Sequence, residues 1–173
     1  MPSQYQTILF TSNLSAASRA AFKQAAMLAA QFKAKLVLFH VMEGRPSSSY
    51  EGYVSSLFGQ DKWLEVLKNN REEAKHALIG KVTPKQMART ALSEFCKENQ
   101  KADENDVVTN YEIIVQDGDV VGAILKQAAE SKCDLIVMGA SEGLLSGVSV
   151  GNNIKAVMKK TKVPVLVVPA SLD

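Results

Sequence analysis

Residues 133–153, CDLIVMGASEGLLSGVSVGNN, form the stretch whose residue types and spacing carry the most chemistry. Asp134 opens an apolar run, Leu135-Ile136-Val137-Met138, with the length and β-branched character of a strand buried on both faces. Gly139 ends the run, and a loop carrying Gly143, Gly147 and Gly151 follows it. A helical pattern then begins near Asn153, with apolar positions at 154, 157 and 158. A strand, a glycine-rich loop and a helix N-terminus in that order turn backbone N–H groups outward in a positive end-field, the geometry that binds anions and most often phosphate. The plain alternative is a long connection with flexible corners. Four glycines within thirteen residues favour ligand binding, because glycine lets a backbone approach a ligand closely.

Other reactive residue types have quieter readings. His40 sits in an apolar strand with no Cys or carboxylate beside it and reads as a core histidine. Cys133 reads as a packed thiol, with no base near it in sequence. Asp117 and Asp119, flanking Gly118, read as a turn and a helix N-cap. Cys96 and Cys133 lie far apart without a CxxC, and with His40 and His76 they match no metal-site spacing. Trp63, Leu64, Leu67 and Leu78 read as core.

The elements that must position these residues follow from periodicity. Residues 5–11 read as a strand, and Ser15 as the N-cap of an alanine-rich helix over 16–32 with apolar residues at 17, 20, 21, 25, 28, 29 and 32. Residues 35–41, KLVLFHV, are a second strand, so the opening is a βαβ unit with parallel strands. Residues 43–60 hold three glycines, one proline and five serines and read as a loop, whose Tyr50, Tyr53 and Phe58 either fold back onto the body or mark a partner surface. Asp61 caps a helix to about Ile79, stopped by Gly80, and Thr83-Pro84 starts another to about Gln100. Strands are expected at 111–115, 135–138 and 162–169, with a helix at 118–131. Five strands alternating with helices predict one domain, a doubly wound α/β fold on a five-stranded parallel sheet. Ligands in such sheets sit beyond the carboxyl ends of the strands, where strand order reverses. Thr11, Ser12 and Asn13, Val41 to Glu43, Val115 to Gly118, and Gly139 onward all lie at such ends and are expected to converge.

Composition bounds the rest. A length of 173 residues suits one domain with a real core, and 46% apolar with 22% charged residues is the soluble globular class. A net charge of +2 argues against a nucleic-acid partner. No span of about 20 apolar residues and no leader pattern occur, so no membrane partner is expected and the location expected is cytoplasmic. With no Walker A motif, GxGxxG or nucleophile–base pair at a recognisable spacing, the chain is not expected to be an enzyme, slow ATP hydrolysis aside.

Four pieces, TILFTSNLSAASRAAFKQAAMLA, KLVLFHVME, VQDGDVVGAILKQAAESKCDLIVMGASEG and TKVPVLVVP, resemble the universal stress protein family in order and spacing. The resemblance covers nearly all the chain except about residues 44–105, a segment longer than is usual for that family. It implies an adenine nucleotide α hydrolase-like fold and a homodimer in which the last strand pairs with its twin. It also implies one of two roles: an adenine-nucleotide-binding stress-response protein, or an interaction module that binds no nucleotide. The binding subgroup carries glycine, two residues, glycine, nine residues, glycine, then serine or threonine, after the fourth strand. Here Gly139 and Gly151 fit the ends of that motif, but Ser141 or Glu142 stands where the second glycine belongs, with Gly143 one further on. The interval from Gly139 to Gly151 is one residue short, and Asn152 replaces the hydroxyl residue. Asn13 stands where the subgroup has aspartate, while Val115 and Gly118 match its adenosine contacts. The implied ligand-binding set is therefore Thr11, Ser12, Asn13, Val41, Val115, Gly118, Gly139, Ala140, Ser141, Gly143, Gly151, Asn152 and Asn153, for AMP, ATP or a dinucleotide-like ligand. Residues 139–153 contain no Lys or Arg and one acid, Glu142, so a polyphosphate there depends on backbone N–H groups or on Mg2+, for which Asn13 removes one carboxylate.

Overall fold

A computed structural model describes residues 5–14, 16–43, 55, 57–74, 83–102, 108–140 and 151–169. Five parallel strands, β1 (Thr7–Ser12), β2 (Lys35–Met42), β3 (Tyr111–Asp117), β4 (Leu135–Gly139) and β5 (Val165–Val168), form one sheet in the order β3-β2-β1-β4-β5. Around it lie α1 (Ala16–Phe32), α2 (Gln60–Ala74), α3 (Pro84–Ala102), α4 (Val120–Glu130) and α5 (Asn152–Lys160). The chain moves outward from β1 through β2 to β3, then returns to place β4 on the other side of β1. Strand order therefore reverses between β1 and β4, which opens a crevice beyond their carboxyl ends.

β1 and β2 are buried along nearly their whole length because both faces of the sheet are covered. Ile8, Phe10, Leu36, Leu38 and Val137 face a core built with Phe22 of α1, Trp63 of α2 and Phe95 of α3. Leu9, Val37, Phe39, Val41, Ile136 and Met138 face the second core, closed by Ile124 of α4 and Ile154 and Val157 of α5. The two-residue alternation of side chains along a strand assigns each residue to its layer.

Several boundaries differ from the sequence expectation for identifiable reasons. β3 runs on to Asp117 because Gln116 and Asp117 keep pairing with Val41 and Met42. β5 covers only Val165–Val168, and the flanking Pro164 and Pro169 have no N–H to extend the ladder. α2 starts at Gln60, with the Trp63 amide donating to the Gly59 carbonyl at 2.9 Å, so Asp61 lies in its first turn and is not its cap. Trp63 is core, as expected, whereas Leu64 is 59% exposed, on the solvent side of α2. Ser15, Tyr50, Tyr53, Leu78 and Gly80 lie outside the described residues, as does the side chain of Leu67. Thr83 caps α3 as expected: the Gln86 amide donates to Thr83 Oγ1 and the Thr83 amide donates to Gln86 Oε1, a capping box.

Phe58 folds onto the body. It stacks on Trp63 with ring centroids 5.5 Å apart and lies 5.8 Å from Phe95. The Arg19 guanidinium of α1 lies over both Phe58 and Phe95 and donates to the Leu57 carbonyl at 2.9 Å. Its Nε is 3.7 Å from Glu98, close enough for ion pairing but too long for a hydrogen bond. α1 therefore fastens α2, α3 and the segment before α2 into one layer.

Candidate functional site

The described residues bound a cavity of about 650 Å3 at the carboxyl ends of β1, β2 and β4, within the usual range for small-molecule sites. It has three kinds of wall. Phe39, Val41 and Met138 of the sheet, with Val120 and Ile124 of α4, make an apolar slot. Thr11, Ser12 and Asn13 at the end of β1, with Ser18 of α1, make a polar floor. Gly139, Gly151, Asn152 and Asn153 bring in the end of β4 and the start of α5.

The floor is held by short-range hydrogen bonds. Ser18 Oγ accepts from the Asn13 amide at 3.3 Å and donates to Asn13 Oδ1 at 2.8 Å. Leu14 takes a left-handed conformation (φ 58°), unusual for a branched residue, and its amide donates to Ser12 Oγ at 3.0 Å. Its side chain is anchored in the core below, which offsets that strain. His40 Nδ1 lies 2.7 Å from the Ser12 carbonyl and donates to it. Burial holds the His40 pKa below its ordinary value, opposed by that hydrogen bond, so the ring is neutral at pH 7.

α5 begins at a backbone cap alone. Gly151 is its N-cap with no side-chain hydrogen bond, and the first intrahelical bond runs from the Lys155 amide to the Gly151 carbonyl at 3.1 Å. The amides of Asn152, Asn153 and Ile154, all cavity residues, precede that bond and have no partner within the helix. Among the described residues a Cβ on Gly151 would meet nothing within 4 Å, and its φ of −50° suits any residue, so neither its described neighbours nor its conformation demands glycine there.

Most of the expected residues converge, and some do not. Thr11, Ser12, Asn13, Val41, Gly139, Gly151, Asn152 and Asn153 line the cavity. Val115 does not: it belongs to the opposite core, because side chains alternate along β3. Gly118 does not line it either. Its φ of 139° needs glycine, and its amide donates to the Met42 carbonyl at 3.1 Å, tying the end of β2 to the turn after β3. Asp119 is the N-cap of α4, as expected, accepting from the Gly122 amide at 2.7 Å. Ala140 is buried, and its amide donates to the Val168 carbonyl. Gly139 lines the cavity, but a Cβ there would stand 2.7 Å from the Ala17 carbonyl oxygen, so close packing of α1 on β4 already requires glycine. Ser141 and Gly143 lie outside the described residues.

Sequence reasoning read His40 as core and passed over Ser18, Val120 and Ile124. His40 is indeed buried, and it is also among the residues that line the cavity. The apolar phase of α4 carried a signal for Val120 and Ile124; nothing local marked Ser18. Among the described lining residues Glu43 is the one acid, and none is Lys or Arg. Among the described residues no three His, Cys, Asp or Glu side chains gather as a metal site, and no helix is long and apolar enough to cross a membrane. Burial pushes the thiol of Cys96 up to about 12 and that of Cys133 up to about 11, so neither is a nucleophile at neutral pH.

A family model described as the universal stress protein family matches residues 4–169. A search of curated proteins finds no match. Among solved structures, the chain is similar to the universal stress protein UspA of Lactobacillus plantarum, at TM-score 0.62 and 21% identity over 96% of this chain and 99% of that one. A universal stress protein in complex with cAMP is similar at TM-score 0.58 and 20% identity, over 98% and 100%. One from Archaeoglobus fulgidus is similar at TM-score 0.58 and 15% identity, over 95% and 94%. At these identities the likeness shows the fold.

Proposed function

Since the chain belongs to the universal stress protein family, we propose that it is an adenine-nucleotide-binding stress-response or regulatory protein that holds AMP or ATP in the switch-point cavity. One observation carries this reading: an apolar slot and an uncapped helix N-terminus open into the same cavity. The slot of Phe39, Val41, Val120 and Ile124 suits a flat base. The amides at the start of α5, without partners in the helix, suit a phosphate, and among the described residues none crowds the space beside Gly151. A universal stress protein of the same fold is in complex with cAMP, which supports a nucleotide as the class of ligand. We read the protein as a binder and not an enzyme, slow ATP hydrolysis aside. Both described cysteines are free thiols, as a reducing cytoplasm keeps them.

Calorimetry with AMP, ADP and ATP, with and without magnesium, tests the reading. Binding of at least one nucleotide is expected, and Gly151→Val should abolish it, because a β-branched side chain would fill the space before the helix amides. If none of the three binds at millimolar concentration, the reading falls. The alternative, an interaction module without nucleotide, then takes its place. Asn13 in place of a carboxylate and the absence of Lys and Arg among the described lining residues favour that alternative.

A further inference from the structure

We propose that Glu43 recognises the ribose of the bound nucleotide, accepting hydrogen bonds from its hydroxyl groups, so that the site prefers ribonucleotides to 2′-deoxyribonucleotides. This rests on the nucleotide reading above. Glu43 directly follows β2, is exposed, lines the cavity, and makes no ion pair among the described residues. Its backbone springs from an anchored point, because the Gly118 amide donates to the carbonyl of the preceding Met42.

The cavity has two electrically different ends. The amides of α5 stand beyond β4, and Glu43 stands at the end of β2, with β1 between them in the sheet. Two strand spacings separate those ends by about 10 Å. A phosphate is drawn to the helix N-terminus and repelled by the carboxylate, so the ligand lies across the end of β1 in one direction. An ionised carboxylate only accepts hydrogen bonds, so it needs donors on the ligand. A nucleotide offers them on the sugar hydroxyls and on the base amine. The base belongs in the apolar slot between sheet and α4, whereas Glu43 sits at the wet rim, where the sugar would lie. Two neighbouring hydroxyls match the two oxygens of one carboxylate. An acid at the end of the second strand serves the same purpose in dinucleotide-binding folds.

Calorimetry with AMP and 2′-deoxy-AMP on the native chain, Glu43→Gln and Glu43→Ala decides it. Native protein should bind 2′-deoxy-AMP about tenfold more weakly than AMP, the effect of losing one hydrogen bond to a charged group. In Glu43→Ala the ratio should fall to about one, mainly through weaker AMP binding. Glu43→Gln, which keeps one acceptor oxygen, should fall between. Glu43 is exposed, so thermal melting should confirm that both variants fold as the native chain does. AMP binding with a native ratio near one, or a ratio that survives Glu43→Ala, overturns the proposal and leaves the nucleotide reading standing. No binding of AMP, ADP or ATP to the native chain overturns both.

Discussion

His40 shows how one side chain serves both core and cavity. Its ring is buried and neutral, and it donates to the carbonyl that begins the β1–α1 turn. Because its folded pKa lies below the ordinary 6.5, the unfolded chain takes up a proton that the native ring resists. Its contribution to stability is therefore complete above pH 6.5 and is lost as pH falls towards the folded pKa. Urea unfolding of the native chain and of His40→Gln, at pH values from 7.5 to 5, should show a shallower loss in the variant. Equal slopes would place the acid sensitivity elsewhere. Gly139 and Gly118 carry a similar double lesson. Both look like ligand glycines in sequence, and both have structural reasons to be glycine: contact with the Ala17 carbonyl for one and a positive φ for the other.

At the scale of the element, termini decide where the site residues stand. α1 and α4 both end at a lysine in the left-handed region, Lys33 and Lys132. The next amides reach back to Ala29 and Ala128, a glycine-type stop made without glycine. α4 begins with a side-chain cap, Asp119, whereas α5 begins with none. Asp119→Ala removes the acceptor for the Gly122 amide and should cost about 0.5–2 kcal/mol of stability by denaturant unfolding. Because Val120 then sits on a frayed first turn, nucleotide affinity should drop with it. An unchanged midpoint would mean that water caps the helix equally well.

On the scale of the whole molecule, β5 is the open question of assembly. It is the outermost strand beside β4, four apolar residues that are only half-buried. An apolar edge of this kind invites pairing. We propose that it pairs with its twin in a second copy, as the family resemblance implies. Light scattering at micromolar concentration should report a dimer, and Val167→Lys should shift it towards monomer. A dimer that ignores the substitution would move the interface to another face.

Local sequence determined the elements and the class of fold. Alanine content and apolar spacing placed α1 at its observed bounds, apolar β-branched runs placed the strands, and Thr83-Pro84 marked the start of α3. These signals are legible because propensity, periodicity and capping act within a few residues. The glycine-rich stretch after β4 likewise pointed to the end of the sheet where the cavity lies. Only the tertiary structure decided which side of the sheet each site residue faces. Val115 went to the far core through the alternation of side chains along β3, and Gly139 met a helix more than a hundred residues earlier. The Asp134 carboxylate, which accepts from the amides of Gln6 and Thr7, ties β4 to the start of β1 across a similar distance in sequence. Such contacts depend on strand order and crossing geometry, and no window of neighbouring residues encodes either.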